Sequence, residues 1–165
     1  MSQEEEKERT SALADLSSST TGSGRHWKGS CLCGKIRYRV KSLASTKMAH
    51  CHCTDCRKFH GSAFSTFGET TTLEWIDRDE ARKHLQTYVA TNGSKRQFCR
   101  NCGSSLTFAS SNADPGYIEF ALATLDEASD GSTVVEPDAH VFVDSKVPWL
   151  NIDNDGLPKH ARGRA

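Results

Sequence analysis

The sequence predicts a mainly β protein folded as a single domain, and three observations predict it. Apolar and polar residues alternate with the period of a half-buried strand, as where Ile36, Tyr38 and Val40 are interleaved with Lys35, Arg37 and Arg39. Short runs of this kind recur with Gly, Asn, Asp and Ser between them, the residues that tight turns require. The length of 165 residues, with 36% hydrophobic side chains, suits one modest core.

Taken in order, the chain begins with a charged stretch from Glu4 to Arg9 that passes into Ser17-Ser18-Ser19-Thr20-Thr21-Gly22-Ser23-Gly24. This composition buries too little to offset the entropy of ordering, so residues 1–24 are expected to form a disordered polar tail. The folded domain is expected over residues 25–152. Beyond the strand around Tyr38, further strands are read at Ala63 to Phe67, Gln86 to Ala90, Lys95 to Phe98, Ser105 to Phe108, Tyr117 to Leu122 and His140 to Val143. One short helix is expected over Asp77 to Leu85 and a brief helical turn near Asp126, neither with the apolar stripe of a core organiser. From Asp153 onward, Asp153-Asn154-Asp155-Gly156-Leu157-Pro158 and a basic ending read as loop and tail, residues 153–165.

The 21 basic and 21 acidic residues cancel, which gives no reason to expect nucleic acid or an anionic membrane as a partner. No run approaches the roughly 20 apolar residues that span a bilayer. The Glu-rich start is unlike a signal or transit peptide, so the expected location is cytoplasmic. An odd number of cysteines, seven, in a chain of that kind argues against a disulfide framework and for metal binding.

The cysteines fall into three groups: Cys31 and Cys33; Cys51, Cys53 and Cys56; Cys99 and Cys102. Two cysteines separated by two residues can aim both sulfurs at one ion from a tight turn, and Cys99-Arg100-Asn101-Cys102 followed by Gly103 has that form. Structural zinc takes four ligands, so one knuckle supplies half a site, and Cys31 with Cys33 is its natural second half. Cys51, Cys53 and Cys56 then remain as three ligands within six residues. Three protein ligands leave one position open, the usual mark of a catalytic zinc.

Spacing alone leaves other readings standing. Seven buried free thiols acting as small hydrophobes is one; a fourth ligand from His50, His52 or His60, which would close the central site, is another. Thioredoxin-like dithiols lack the βαβ surroundings they need. An iron–sulfur cluster fits the four-plus-three division less well than zinc.

Three thiolates on a divalent ion carry a formal charge of minus one, and Arg57, Lys58 and Lys146 are the candidate cations, set against the reading that Arg57 and Lys58 are a solvated surface pair. In an extended stretch His52 points away from the cysteines beside it and is a candidate donor behind them. Trp149 is either a cleft wall or, as aromatics more often are, core packing; Phe59, Phe64 and Phe67 are assigned to the core.

Three segments carry a resemblance: Gly29-Ser30-Cys31-Leu32-Cys33-Gly34; Cys51-His52-Cys53-Thr54-Asp55-Cys56-Arg57-Lys58; and Phe98-Cys99-Arg100-Asn101-Cys102-Gly103-Ser104-Ser105-Leu106. A fourth, His140-Val141-Phe142-Val143-Asp144-Ser145-Lys146-Val147-Pro148-Trp149, follows in order. Together they resemble the glutathione-dependent formaldehyde-activating enzyme and centromere protein V family, over about Trp27 to Ile152. The resemblance implies an Mss4-like β-tent of short antiparallel sheets with zinc knuckles. It implies two zinc ions per chain, a structural one on Cys31, Cys33, Cys99 and Cys102 and a catalytic one on Cys51, Cys53 and Cys56. It also implies a carbon–sulfur lyase reaction, the condensation of formaldehyde with glutathione to S-hydroxymethylglutathione. The partner would be glutathione or a related small thiol or its adduct. The competing functions are cleavage of a different glutathione conjugate and a non-catalytic zinc-binding interaction module, the latter weakened by the absence of a basic nucleic-acid patch.

Overall fold

The computed structural model describes residues 27–43, 48–126 and 136–164. The tail expected over residues 1–24 lies outside the described residues.

Strand formation follows the alternating segments closely. Ten strands are present among the described residues: β1 (Trp27–Ser30), β2 (Arg37–Val40), β3 (Ala49–Cys51), β4 (Ser65–Thr70), β5 (Leu73–Trp75), β6 (Leu85–Val89), β7 (Lys95–Cys99), β8 (Ser105–Ala109), β9 (Ile118–Ala121) and β10 (Ala139–Val141). Each expected strand is found within a few residues of its predicted bounds. The short strands β1, β3 and β5 were not expected; at three or four residues they are too brief to show a period. The helix expected over Asp77 to Leu85 is α2 (Arg78–His84), capped by the Asp77 side chain accepting from the Glu80 N–H. A 3₁₀ turn at Leu122–Thr124 leads into Asp126, where a helical turn was expected.

The first helix, α1 (Thr54–His60), was not foreseen, because its residues were read only as a ligand cluster. Its signals are present in the sequence all the same. Asp55 stands in the first turn, basic residues fill the last, and Gly61 ends it at φ 63°, a left-handed conformation that favours glycine.

Two sheets result. β1, β2 and β5 form a three-stranded antiparallel sheet, and the other strands form a seven-stranded one in the order β10-β3-β4-β9-β8-β7-β6. The expectation of antiparallel sheets needs one amendment: β10 runs parallel to β3, pairing His140 with His50 and Val141 with Cys51. That pairing is reached by a long return of the chain, as parallel neighbours require.

Alternation along the strands gives the seven-stranded sheet two different faces. Phe120, paired with Gly68, belongs to the main core with Ile36, Tyr38, Val40, Met48, Leu106 and Leu122, and Cys31 and Cys99 are buried in that same cluster. Phe67, paired with Ala121 and Ala49, points the other way into a smaller cluster with Cys51, Cys56 and Val141. The chain thus keeps its two cysteine groups on opposite sides of one sheet.

Tyr38 shows how tightly the main core is fitted. Its ring is fully buried, edge-on to Trp75 and Phe120. The Thr124 hydroxyl donates to the Ala121 carbonyl, so it is free to accept from the Tyr38 hydroxyl at 2.7 Å. On β1, the position opposite Tyr38 is Gly29, and a methyl group there would overlap the Tyr38 ring. We therefore expect Gly29→Ala to destabilise the fold by about 1–3 kcal/mol through overpacking, measured by urea denaturation with the slope of the transition unchanged.

Candidate functional site

The four-cysteine group is built from two turns of the same design. At the end of β1 the Cys31 carbonyl accepts from Gly34 N–H, and the Cys31 sulfur accepts from Ile36 N–H at 3.3 Å. At the end of β7 the Cys99 carbonyl accepts from Gly103 N–H, and Cys99 N–H donates to Ser104. Gly34 and Gly103 hold φ of 73° and 79°, which lets each chain turn back beneath its sulfurs. The Leu32 N–H donates to the Ser104 hydroxyl at 2.9 Å and fastens one turn to the other. The Asn101 amide adds a hydrogen bond to the Cys33 sulfur at 3.3 Å.

The sulfurs of Cys31, Cys33, Cys99 and Cys102 lie within 4.8 Å of one another. Cys31 to Cys33 is 3.6 Å and Cys33 to Cys99 is 3.9 Å. Four sulfurs placed about 2.3 Å from a tetrahedral zinc stand about 3.8 Å apart. The group can therefore hold such an ion, and N–H donors aimed at its sulfurs favour the thiolate form that a metal requires.

The three-cysteine group has different supports. Cys51 ends β3, Cys53 precedes α1, and Cys56 sits in the first turn of α1. The Cys53 sulfur accepts from Cys56 N–H at 3.3 Å, as a cap does, and the three sulfurs again lie within 4.8 Å of one another. Hydrogen bonds from Cys51 and Cys56 hold the Cys53 thiol down at about 2, and the same contacts drive Cys51 far up. The sulfurs compete for one negative charge, a competition that a divalent cation resolves in favour of all three.

No histidine nitrogen joins either sulfur group among the described residues. The rings are committed elsewhere. His50 Nδ1 stands 2.8 Å from the Thr66 hydroxyl. His52, fully buried, turns away from its flanking cysteines and places Nε2 at 2.8 Å from His140 Nδ1, while His140 Nε2 reaches an Asp155 oxygen at 2.6 Å. A carboxylate only accepts, so His140 carries its proton on Nε2 and presents a bare Nδ1, and His52 must then donate from Nε2. This chain ties the loop between Cys51 and Cys53 to β10 and to the segment after it. His52 Nδ1 is left buried without a partner among the described residues.

Among the described residues the cations proposed from sequence make no hydrogen bond to the sulfurs. Arg57 Nε donates to the His52 carbonyl at 3.1 Å, and Lys58 is exposed. Lys146 is engaged by the carbonyls of Val147 and Leu150 at 3.2 and 2.5 Å. Trp149 is 73% exposed and belongs to no core; with Arg57, Lys58 and Val147 it lines a cleft of about 280 Å³. Phe67 is core, as expected, whereas Phe59 and Phe64 are only half-buried.

What the sequence reading missed is the row of side chains on the cysteine-bearing face of the large sheet. Strand register aligns Arg96 on β7, Phe108 on β8, Glu119 on β9 and Glu69 on β4. Glu69 shares its face with Phe67, and so with Ala49 and Cys51. A cavity of about 210 Å³ opens here, lined by Cys51, Phe67, Glu69, Glu119, Phe142 and Arg164 among others. Burial, then the charges of Glu69 and Cys53, push Glu119 up to about 7, against the opposing pull of Arg96. Burial and the Arg96 charge bring His60 down to about 4.

A β protein with one set of four thiols and one three-thiol set that reaches a cavity through Cys51 defines a class: small β-sheet proteins built around two candidate metal sites, one with four sulfurs and one with three. The family follows from the comparisons. Residues 26–145 match the family model described as glutathione-dependent formaldehyde-activating enzyme, and the chain belongs to that family. A protein of Schizosaccharomyces pombe named as an uncharacterized lyase is 31% identical over 128 residues, covering 78% of this chain and 86% of its own. A putative glutathione-dependent formaldehyde-activating enzyme of Halomonas elongata is 29% identical over 136 residues, covering 77% of this chain and 81% of its own. The crystal structure of a Rhodobacter sphaeroides protein superposes with a TM-score of 0.50 at 18% identity, over 81% of this chain and 98% of that one, a likeness of fold. Among the described residues no helix is long and apolar enough to cross a membrane.

The His52–His140–Asp155 chain is open to direct test. Replacing His140 by Ala strands the His52 donor in the interior, and we expect a loss of about 1–3 kcal/mol in stability, read by chemical denaturation. Asp155→Asn is expected to cost less, because the Asp155 side chain remains 35% exposed and water can replace part of its role.

Proposed function

We propose that the chain is a zinc-dependent carbon–sulfur lyase-type enzyme that joins a small thiol, glutathione, to formaldehyde and releases the two again in the reverse direction. The observation that carries this reading is the Cys51, Cys53 and Cys56 set, three sulfurs within 4.8 Å of one another with Cys51 in the lining of a cavity of about 210 Å³. The family match and the names of the two relatives support the reaction class and the thiol.

In this reading Cys31, Cys33, Cys99 and Cys102 hold one ion that closes the fold, and Cys51, Cys53 and Cys56 hold a second. Bound there, zinc lowers the pKa of an approaching thiol and favours its thiolate at neutral pH. The chain's own residues do the rest. Cys51 presents the site to the cavity, while Phe67 and Phe142 in its wall limit the water around a reacting carbonyl. Arg57, Lys58 and Trp149 line the neighbouring cleft, where cations suit the carboxylates of glutathione.

The chemistry is balanced by simple means. The thiol loses its proton, the sulfur pair forms the carbon–sulfur bond, the carbonyl π pair moves to oxygen, and that oxygen takes up a proton. Reversal breaks the same bond. An oxidant is not needed at any point.

Elemental analysis of the purified chain is expected to give two zinc ions, and Cys53→Ser is expected to keep one and to lower adduct formation at least about 100-fold, in line with loss of a metal ligand. Unchanged turnover in Cys53→Ser would remove the three-cysteine set from the mechanism. Cys99→Ser, in contrast, is expected to lose the cooperative unfolding transition, since its sulfur is part of the main core.

A further inference from the structure

The cavity that Cys51 reaches holds two carboxylates from neighbouring strands. Register pairs Glu69 on β4 with Glu119 on β9, both half-buried, and both line the same cavity of about 210 Å³ as Cys51. Side chains directly opposite on antiparallel strands stand about 5 Å apart at Cβ, close enough for two like charges to repel. The cation that could separate them is committed: Arg164, the one cation in this lining among the described residues, is held by Asp138 and by the Met48 carbonyl. A half-buried carboxylate pair in that position favours a proton on one of its members.

That proton falls to Glu119. Burial first and the Glu69 charge second push it up to about 7, with a smaller addition from Cys53 and an opposing pull from Arg96 on β7. The two larger causes are independent of the cysteines. Tyr117, just before β9, is pushed up by burial and by both carboxylates and so remains a neutral neighbour. The other polar groups of the lining have roles of their own: Cys51 is a candidate ligand, and Arg164 anchors the end of the chain. A group that both holds and releases a proton near neutral pH, in the space beside a ligand sulfur, has what proton transfer requires.

We propose that Glu119 is the proton carrier of the three-cysteine site, taking the proton that an incoming thiol gives up and returning it to the oxygen of the aldehyde. This rests on the reaction proposed above. The Glu119 carboxylate accepts the thiol proton, the sulfur pair forms the carbon–sulfur bond, the carbonyl π pair moves to oxygen, and the same proton passes from Glu119 to that oxygen. The carboxylate is restored, so no outside acid or base is consumed. Reversal runs the same steps in the opposite order, with the carboxylate first accepting the proton of the hydroxyl.

The test is the rate of adduct formation between glutathione and formaldehyde above the uncatalysed background, followed with the zinc-loaded chain across about pH 5 to 9, in wild type, Glu119→Gln and Glu69→Gln. The wild-type rate is expected to climb with pH to a plateau, with its midpoint at about 7, because only the carboxylate accepts the thiol proton. Glu119→Gln is expected to lose at least about 100-fold in rate and the climb with it, while keeping the zinc content and the unfolding midpoint of wild type. Glu69→Gln removes the like charge and is expected to move the midpoint of the climb to lower pH. A Glu119→Gln chain that keeps the wild-type rate, or that loses rate but keeps the climb, overturns the proposal, and so does a midpoint unmoved by Glu69→Gln. If Glu119→Gln sheds zinc, the Glu69→Gln midpoint decides alone. A wild type that forms no adduct above background overturns the proposed reaction and the role of Glu119 together, whereas an active wild type matched by Glu119→Gln removes Glu119 only and leaves the reaction standing.

Discussion

The convergence of two cysteine turns is the constraint on which the rest of the molecule depends. Cys31 and Cys33 belong to the turn that joins β1 to β2 in the small sheet, Cys99 and Cys102 to a turn of the large one, and the two sheets share no strand. Their sulfurs meet at the separations a tetrahedral ion needs, and Cys31 and Cys99 are at the same time members of the main hydrophobic cluster. Strands of three to six residues bury too little to stack two such sheets firmly without help, which is the position small β domains are commonly in. A metal cross-link there would do for this chain what disulfides do in an oxidising compartment.

With that junction fixed, the large sheet works as a partition. One face completes the core with Phe120 and Leu106; the other carries Cys51, Phe67, Glu69, Glu119, Phe108 and Arg96. Each strand contributes one or two side chains to this second face, and register sets their order. The result is charge of both signs on an otherwise aromatic surface next to three thiols, with Glu119 pushed up to about 7 chiefly by burial. Such a surface is expensive to maintain for stability alone, and concentrations of perturbed groups of this kind are more often found where chemistry is done.

The end of the chain belongs to this arrangement as well. The family match closes at residue 145, but the residues after it run beside β10, with His140 N–H donating to Pro158, His160 N–H to His140, and Phe142 N–H to Arg162. Asp155 completes the histidine chain from this segment, and Arg164, held by Asp138 and the Met48 carbonyl, forms part of the cavity wall. The strand that carries Cys51 is thus braced by β10, and β10 by the last described residues.

Sequence by itself determined the β character, most of the longer strands, the helix at Arg78–His84, and the division of the cysteines into four and three, because these depend on local period, turn residues and ligand spacing. It also held the capping and glycine signals of α1, which were obscured by reading Cys53 to Cys56 only as ligands. Tertiary structure alone decided that β10 lies parallel to β3, that His52 joins His140 and Asp155, and that Trp149 lines a cleft. It decided, too, that Arg96, Phe108, Glu119 and Glu69 share one row. Three of these residues come from the consecutive strands β7, β8 and β9 and the fourth from the distant β4, and each is locally an ordinary alternating position. Only the register between strands, a property of hydrogen bonds made at long range, brings them to the same side of the same three thiols.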